Sequence, residues 1–228
     1  MTELLPLFLN LTGRTVALIG AGPVATAKLR QLLAAGARVR IVAPELTREI
    51  QAPHPDVTIA QRAFVPVDLD DVWLVVAAAT PEVNRHVAEV AEARHIFVNA
   101  VDDPPNASAF LSGVVRRDGV TLAISTTGAA PALTALLREG LDAMLPRELG
   151  AWMWQARASR AAWRRDGVPM DARKPLLLRA LNDLYRSPEG LRHNGGDRDV
   201  AQGFSPAASA VSSSQRVPWL NAPEDSWL

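Results

Sequence analysis

Short apolar runs alternate with amphipathic stretches through the first hundred residues, a glycine-rich turn follows the first run, and the pattern changes near residue 109. These observations predict an α/β fold: a Rossmann-like parallel sheet followed by a β-hairpin segment and a small helical C-terminal module. Residues 16–19 read as a first strand, and 23–35 as a helix closed by Gly36. Residues 38–42 are a second strand and 57–60 a short third. The continuous apolar run 72–78 predicts a strand buried on both faces. Residues 81–94 form a helix with Pro81 in its first turn, and 96–99 a further strand. Strands separated by helices of this length imply right-handed crossovers and a parallel sheet.

Beyond residue 108 the reading changes. Residues 109–116 and 120–125 flank Arg117-Asp118-Gly119, a tight hairpin signal. Pro131 opens an amphipathic helix to about residue 144, and 147–165 and 175–186 are two more helical stretches. From Ser187 onward Ser, Pro, Gly and Ala recur without a period, which predicts a disordered tail that Trp219 and Trp227 could pin to a surface. The expected divisions are 1–108, 109–145, 146–186 and 187–228.

Composition narrows the function classes. The chain of 228 residues, 48% apolar, is long enough for one large domain or a domain with a smaller one. Its 24 basic and 24 acidic side chains cancel, so no bulk attraction to nucleic acid or membrane is expected. Lys28 and Lys174 are the two lysines among many arginines. The lack of cysteine excludes disulfides, thiolate metal sites and cysteine nucleophiles. The opening ten residues carry Glu3 and no basic residue, unlike a secretory signal, and no apolar run reaches a membrane span. The expected compartment is cytoplasmic.

The chemistry-bearing motif is Gly20-Ala21-Gly22-Pro23-Val24-Ala25, between the first strand and its helix. Gly20 permits a tight turn, Gly22 lets backbone N–H groups approach a pyrophosphate, and Ala25 lets the helix pack closely. The helix N-terminus adds unpaired donors and partial positive charge. Glu45, at the end of the second strand, is a little late for the acidic residue that takes a ribose hydroxyl and favours NAD over NADP. Its other reading is an exposed charge capping a helix. Thr80 ends the buried strand, where it can touch ribose or phosphate or cap the Pro81 helix.

Asp102 and Asp103 follow the next strand and precede Pro104-Pro105. Two carboxylates at the mouth of such a cleft suit proton transfer, while an Asx-turn before proline needs no catalysis. His54, His86, His95 and His193 lie far apart without ligand spacing, and no metal ligand set is predicted. Ser125 to Pro131 is a second small-residue turn that either binds an anion or serves as a capped connector. Trp152, Trp154 and Trp163 read as packing residues.

The segments Leu5-Pro6-Leu7-Phe8-Leu9, 16–28, Gly36-Ala37-Arg38-Val39 and Val42-Ala43-Pro44-Glu45 occur in a specific order. So do Ala78-Ala79-Thr80, Asn84-Arg85-His86-Val87, 96–104, 123–127 and 131–139. Together, over about residues 4–185, they resemble the precorrin-2 dehydrogenase/sirohydrochlorin ferrochelatase family, the N-terminal part of siroheme synthase and its stand-alone relatives. The resemblance implies NAD-dependent oxidation of precorrin-2 to sirohydrochlorin, with Fe²⁺ insertion in bifunctional members. It also implies an intertwined homodimer with the hairpin region at the interface, and a tetrapyrrole bound between the Rossmann and C-terminal parts. The family's catalytic aspartate falls on Asp102, and its NAD contacts on Gly20, Gly22, Pro23, Val24, Pro44 and Glu45. Arg116, Arg117 and Arg138 are candidates to clamp the eight carboxylates of the macrocycle. The sequence departs from the family pattern at Ala109, usually aromatic, and at Ser112, often proline. The methyltransferase half of siroheme synthase has no counterpart, so precorrin-2 is expected from another protein. The alternatives are a chelatase only and a non-catalytic NAD-sensing module, which would not need Asp102.

Overall fold

The structure, a computed structural model, describes residues 4–186, so the tail from Ser187 with Trp219 and Trp227 lies outside the described residues. Strands β1 (Thr15–Ile19), β2 (Arg38–Val42), β3 (Val57–Ala60), β4 (Leu74–Ala77) and β5 (Phe97–Ala100) form a parallel sheet in the order β3-β2-β1-β4-β5. The strand direction of growth reverses between β1 and β4, where such sheets open a ligand crevice. Ile19 pairs with Val42 on one side and Ala77 on the other, and Ala77 pairs with Ala100. The carboxyl ends of four strands are therefore level.

Alternation along each strand divides the core in two. Val16, Leu18, Val39, Ile41, Leu74 and Val76 face one side, where Ala25, Leu29 and Leu32 of helix α1 (Pro23–Ala34) cover them. Ala17, Ile19, Val75, Ala77, Val98 and Ala100 face the other, against Val87 and Ala91 of helix α2 (Pro81–Glu92). Steps of three and four residues put each helix's apolar positions on one stripe. The predicted alternation of strands and helices holds at these two connections. At the other two it does not: residues 43–56 contain Pro44, Pro53 and Pro55 and make only turns, and a 3₁₀ turn at Pro66–Leu69 leads into β4. Proline removes the N–H donors a longer helix would need.

That 3₁₀ connection is held by Asp68. Its carboxylate accepts from both terminal nitrogens of Arg62 at 2.6 and 2.7 Å and from the Val65 N–H at 2.9 Å. Arg40 donates to the carbonyls of Asp68 and Asp70 at 2.9 and 3.1 Å.

After β5 the chain runs back beside it. Ser108 and Ala109 donate their N–H groups to the Val98 carbonyl, and the Val98 N–H donates to the Ser108 hydroxyl. Ala109 and Leu111 pack on the first core, so the hairpin begins at Gly113 rather than at 109. Its strands are β6 (Gly113–Arg117) and β7 (Val120–Ile124), joined through Asp118 and Gly119, both at positive φ. This is the geometry a two-residue hairpin turn requires.

Three helices follow: α3 (Pro131–Met144), α4 (Leu149–Arg165) and α5 (Met170–Arg186). The last starts five residues before Pro175, which sits inside it. Among the described residues two compact units result: one holds the chain to Gly113 and Ile124–Leu136, the other holds Val114–Ala123 and the chain from Leu137. In the second unit Leu149, Trp152 and Leu181 form the core, with Val120, Leu145, Leu177 and Leu184 packed against them. Arg117 ties this unit together by donating to Asp142 at 2.6 Å and to the Leu145 carbonyl at 2.9 Å. Trp152 packs as expected, whereas Trp154 is 58% exposed. Among the described residues no helix is long and apolar enough to cross a membrane.

The Arg62 hydrogen bonds hold the Asp68 carboxyl below the usual carboxylate range. A group with a lowered pKa in the folded state stabilises fully above its unfolded pKa, and that contribution is lost as pH falls through the folded value. Replacing Asp68 with Ala should destabilise the protein by roughly 1–3 kcal/mol at neutral pH, the range for unmade buried hydrogen bonds, weakened because Arg62 is half exposed. Urea unfolding should give a gap between wild type and variant that narrows as the pH drops below about 4.

Candidate active site

The turn after β1 is shaped by what cannot fit. Gly20 has φ +109, and a Cβ there would lie 2.3 Å from the Ala78 carbonyl oxygen. Its N–H donates to Val42, while the Ala78 N–H donates to Ile19. Gly22 is different: its φ is −77 and a Cβ would meet nothing within 4 Å. The missing side chain leaves open space in front of α1. No side chain caps that helix, Pro23 takes its first position, and Thr26 turns its hydroxyl back to the Gly22 carbonyl. The free donors of the first turn are left for an anionic ligand, so this turn fits a pyrophosphate.

Pro44 and Glu45 lie in a bend just past β2, both exposed. No helix begins there for Glu45 to cap. Thr80 stands at the N-cap position of α2, exposed and extended, yet its hydroxyl makes no capping bond. It serves Glu82 instead: the Glu82 backbone N–H, then the Thr80 hydroxyl, hold the Glu82 carboxyl below its usual range. Buried Asn84 accepts the Ala79 N–H at 3.1 Å and so fixes the strand end behind Thr80.

Asp102 lies two residues past β5, exposed, with φ +55. Such a conformation costs a non-glycine residue on the order of 1 kcal/mol, and strain of this kind gathers at functional sites. Asp103 takes the Asx role: its carboxylate accepts from the Asn106 amide at 2.8 Å at the start of a short 3₁₀ turn. The Asx reading thus falls on Asp103, and Asp102 takes no part in that turn.

Asp102 borders a cavity of about 250 Å³ within the first unit. Asn99, Lys28, Ser112, the loop at 125–128 and the first turn of α3 also line it. In that loop Thr126 accepts the Ala130 N–H and shares a 2.9 Å hydrogen bond with Thr134, so capping is one of its functions. Gly128 brings the loop against Pro104, where a Cβ would lie 3.1 Å from the ring.

Two lining residues were not singled out from sequence. Asn99 is 6% exposed; its amide nitrogen donates to the Ala109 carbonyl, and its Oδ1 is buried without a partner. Its signal was a carboxamide in an otherwise apolar strand. Lys28 is half-buried on α1; burial pushes its pKa down and the Asp102 charge pulls it back up. Its signal was its place beside the Ala25, Leu29, Leu32 stripe. The Asp102 cavity lies in the first unit, whereas Arg116, Arg117 and Arg138 belong to the second, where Arg117 and Arg138 are engaged with Asp142 and Glu139. His54 accepts the Asp56 N–H, His86 sets its ring edge on Phe64, and no group of three potential ligands gathers among the described residues.

Sheet order, glycine turn and uncapped helix start define a dinucleotide-binding domain. A family model described as "Putative NAD(P)-binding" matches residues 7–113. The siroheme synthase of Tolumonas auensis is 42% identical over 150 residues, covering 65% of this chain and 32% of that protein. Siroheme synthase 1 of Aeromonas salmonicida is 40% identical over 183 residues, covering 79% of this chain and 39% of that protein. The chain thus spans about a third of the length of the curated relatives it matches. A solved structure of SirC, a precorrin-2 dehydrogenase, is similar with TM-score 0.62 and 25% identity, covering 83% of this chain and 96% of that one. Over most of its length this chain is thus similar to the precorrin-2 dehydrogenase SirC and to the N-terminal third of siroheme synthases.

The two glycines should separate experimentally. Gly20→Ala meets both a positive φ and a backbone oxygen, so it should lower the melting temperature markedly. Gly22→Ala fits the free protein and should leave the melting temperature unchanged while weakening NAD binding, read by calorimetric titration. Equal stability losses for both variants would refute this division.

Proposed function

We propose that this chain oxidises precorrin-2 to sirohydrochlorin, with NAD as hydride acceptor and Asp102 as general base. The observation that carries the reading is an exposed, conformationally strained carboxylate at the cavity mouth, on the sheet edge that bears the glycine turn. Gly20 follows β1 and Asp102 follows β5, two strands away, or about 10 Å. Gly20, Gly22, Pro23 and Val24 serve the pyrophosphate, Pro44 and Glu45 the adenosine ribose, and Thr80 the facing strand end. Bound NAD⁺ supplies a two-electron acceptor for one hydride.

The remaining change at the macrocycle is loss of one proton. Breaking that C–H bond needs a carboxylate near the leaving proton, and Asp102 receives it at a side-chain oxygen and releases it to solvent through the open cavity. The buried Asn99 Oδ1, still lacking a donor, offers an acceptor in the wall of the same cavity. Asp103, engaged with Asn106, orients the loop rather than the substrate.

A second reading shares the site. Fe²⁺ entering sirohydrochlorin displaces two pyrrole protons, and an exposed Asp102 can take them. The working form is a homodimer in the cytoplasm. The support for a homodimer is α3, which buries none of its 14 residues and leaves Leu136 65% exposed.

Purified protein mixed with NAD and anaerobically generated precorrin-2 should produce NADH together with the sirohydrochlorin spectrum. Absence of both overturns the dehydrogenase reading. Asp102→Asn should lower turnover roughly 10²- to 10⁴-fold, the usual contribution of a general base, while NAD affinity stays the same. Unchanged turnover in this variant would remove Asp102 from its role.

A further inference from the structure

The Asp102 cavity contains a cation that the structure does not otherwise use. Lys28 lies in the second turn of α1, three residues after Ala25 and one before Leu29. This spacing turns it along the buried stripe instead of toward bulk water. Its ammonium has three donors, yet it makes no hydrogen bond and no ion pair within 4 Å among the described residues. Among the described residues other partly buried cations are committed: Arg40 to the Asp68 and Asp70 carbonyls, Arg117 to Asp142 and Leu145. A desolvated ammonium left without such partners costs stability and gives the fold nothing back.

The surroundings indicate what Lys28 is for. Two acids, Asp102 and Asp103, also line the cavity, and its remaining walls are the neutral Asn99 carboxamide, hydroxyls, backbone and apolar groups. Without Lys28 an anionic ligand would meet only negative charge. At about 250 Å³ the cavity is smaller than the range for a whole drug-sized ligand, so it admits a peripheral arm rather than a macrocycle.

We infer that Lys28 binds a carboxylate arm of the tetrapyrrole and holds the adjoining ring edge at Asp102. This rests on the proposed dehydrogenase reading and adds a substrate-binding residue to it. An ammonium–carboxylate contact made equally before and during hydride loss acts on KM and leaves kcat in place.

The test uses the full chain and sirohydrochlorin, whose binding is followed by quenching of tryptophan fluorescence without turnover. Lys28→Met and Lys28→Gln should weaken sirohydrochlorin roughly 10- to 100-fold, as expected for one charge-assisted contact. The same variants should raise KM for precorrin-2 with kcat nearly unchanged. Lys28→Arg should restore most of the affinity, and NAD binding should not change in any of the three. Two variants of different polarity guard against one failing to fold. Sirohydrochlorin affinity equal to wild type in Lys28→Gln overturns the inference. A fall in kcat with unchanged KM also overturns it, because Lys28 would then act on Asp102 and not on the substrate. Wild-type protein that neither binds sirohydrochlorin nor oxidises precorrin-2 sinks the underlying reading instead.

Discussion

The contact on which the rest depends is the approach of β1 to β4 at their carboxyl ends. A Cβ on Gly20 would lie 2.3 Å from the Ala78 oxygen, so only a bare backbone allows both strands to finish together. The Gly20 N–H bond to Val42 and the Ala78 N–H bond to Ile19 lock three strands at that level. With Ala77 paired to Ala100, β5 ends there too, and the Val101 N–H donates to the Ala77 carbonyl. The dinucleotide turn, Thr80 and Asp102 thus leave one edge within a few residues of each other. Moving any one strand by a residue would also invert its buried face, because side chains alternate across the sheet.

This dependence explains which parts of the fold were legible in the sequence. Strands buried on both faces must be apolar throughout, so β1 and β4 stood out as runs such as Leu74-Val75-Val76-Ala77. Helices α1 and α2 were readable from Pro23 and Pro81 at their starts. Boundaries set by tertiary hydrogen bonds were less readable. Residues 109–112 have strand-like composition, but Asn99 and Ser108 tie that segment to β5 and postpone the hairpin to Gly113. The start of α5 was hidden for a similar reason: Pro175 looks like a first-turn proline, while the helix accommodates it one turn further in. Nothing local in Pro175 distinguishes the two cases.

The site divided along the same line. Motif residues that act through backbone shape, Gly20 and Gly22 above all, are written in the sequence because only glycine supplies that shape or that space. Asp102 was legible as one of a pair, but the pair alone did not say which acid was free. Asn106 decides it by occupying Asp103. Asn99 and Lys28 carry only faint local signatures, a carboxamide in an apolar strand and a lysine beside an apolar stripe. Their significance lies in an unmet hydrogen bond and an unmatched charge, and both require knowing what surrounds them.

Helix α1 gives this arrangement its rigidity. It begins at the phosphate turn and reaches Lys28 six residues after Gly22, about 9 Å along its axis. The sheet covers a similar span, about 10 Å, from β1 to β5. The turn and the cavity are thus connected by two stiff routes of comparable length, both anchored in the core that contains Leu18, Ile41 and Val76. A loop-borne cation could follow a mobile substrate, but it would not preserve a fixed offset from the dinucleotide. A lysine on α1 can, because Leu29 and Leu32 pin that helix to the sheet. Hydride transfer tolerates little error in the distance between donor and acceptor. A half-buried lysine is an energetic burden to the empty protein, and on a helix packed into the core beside the turn that burden is placed where it can hold a bound anion at a fixed offset from the dinucleotide.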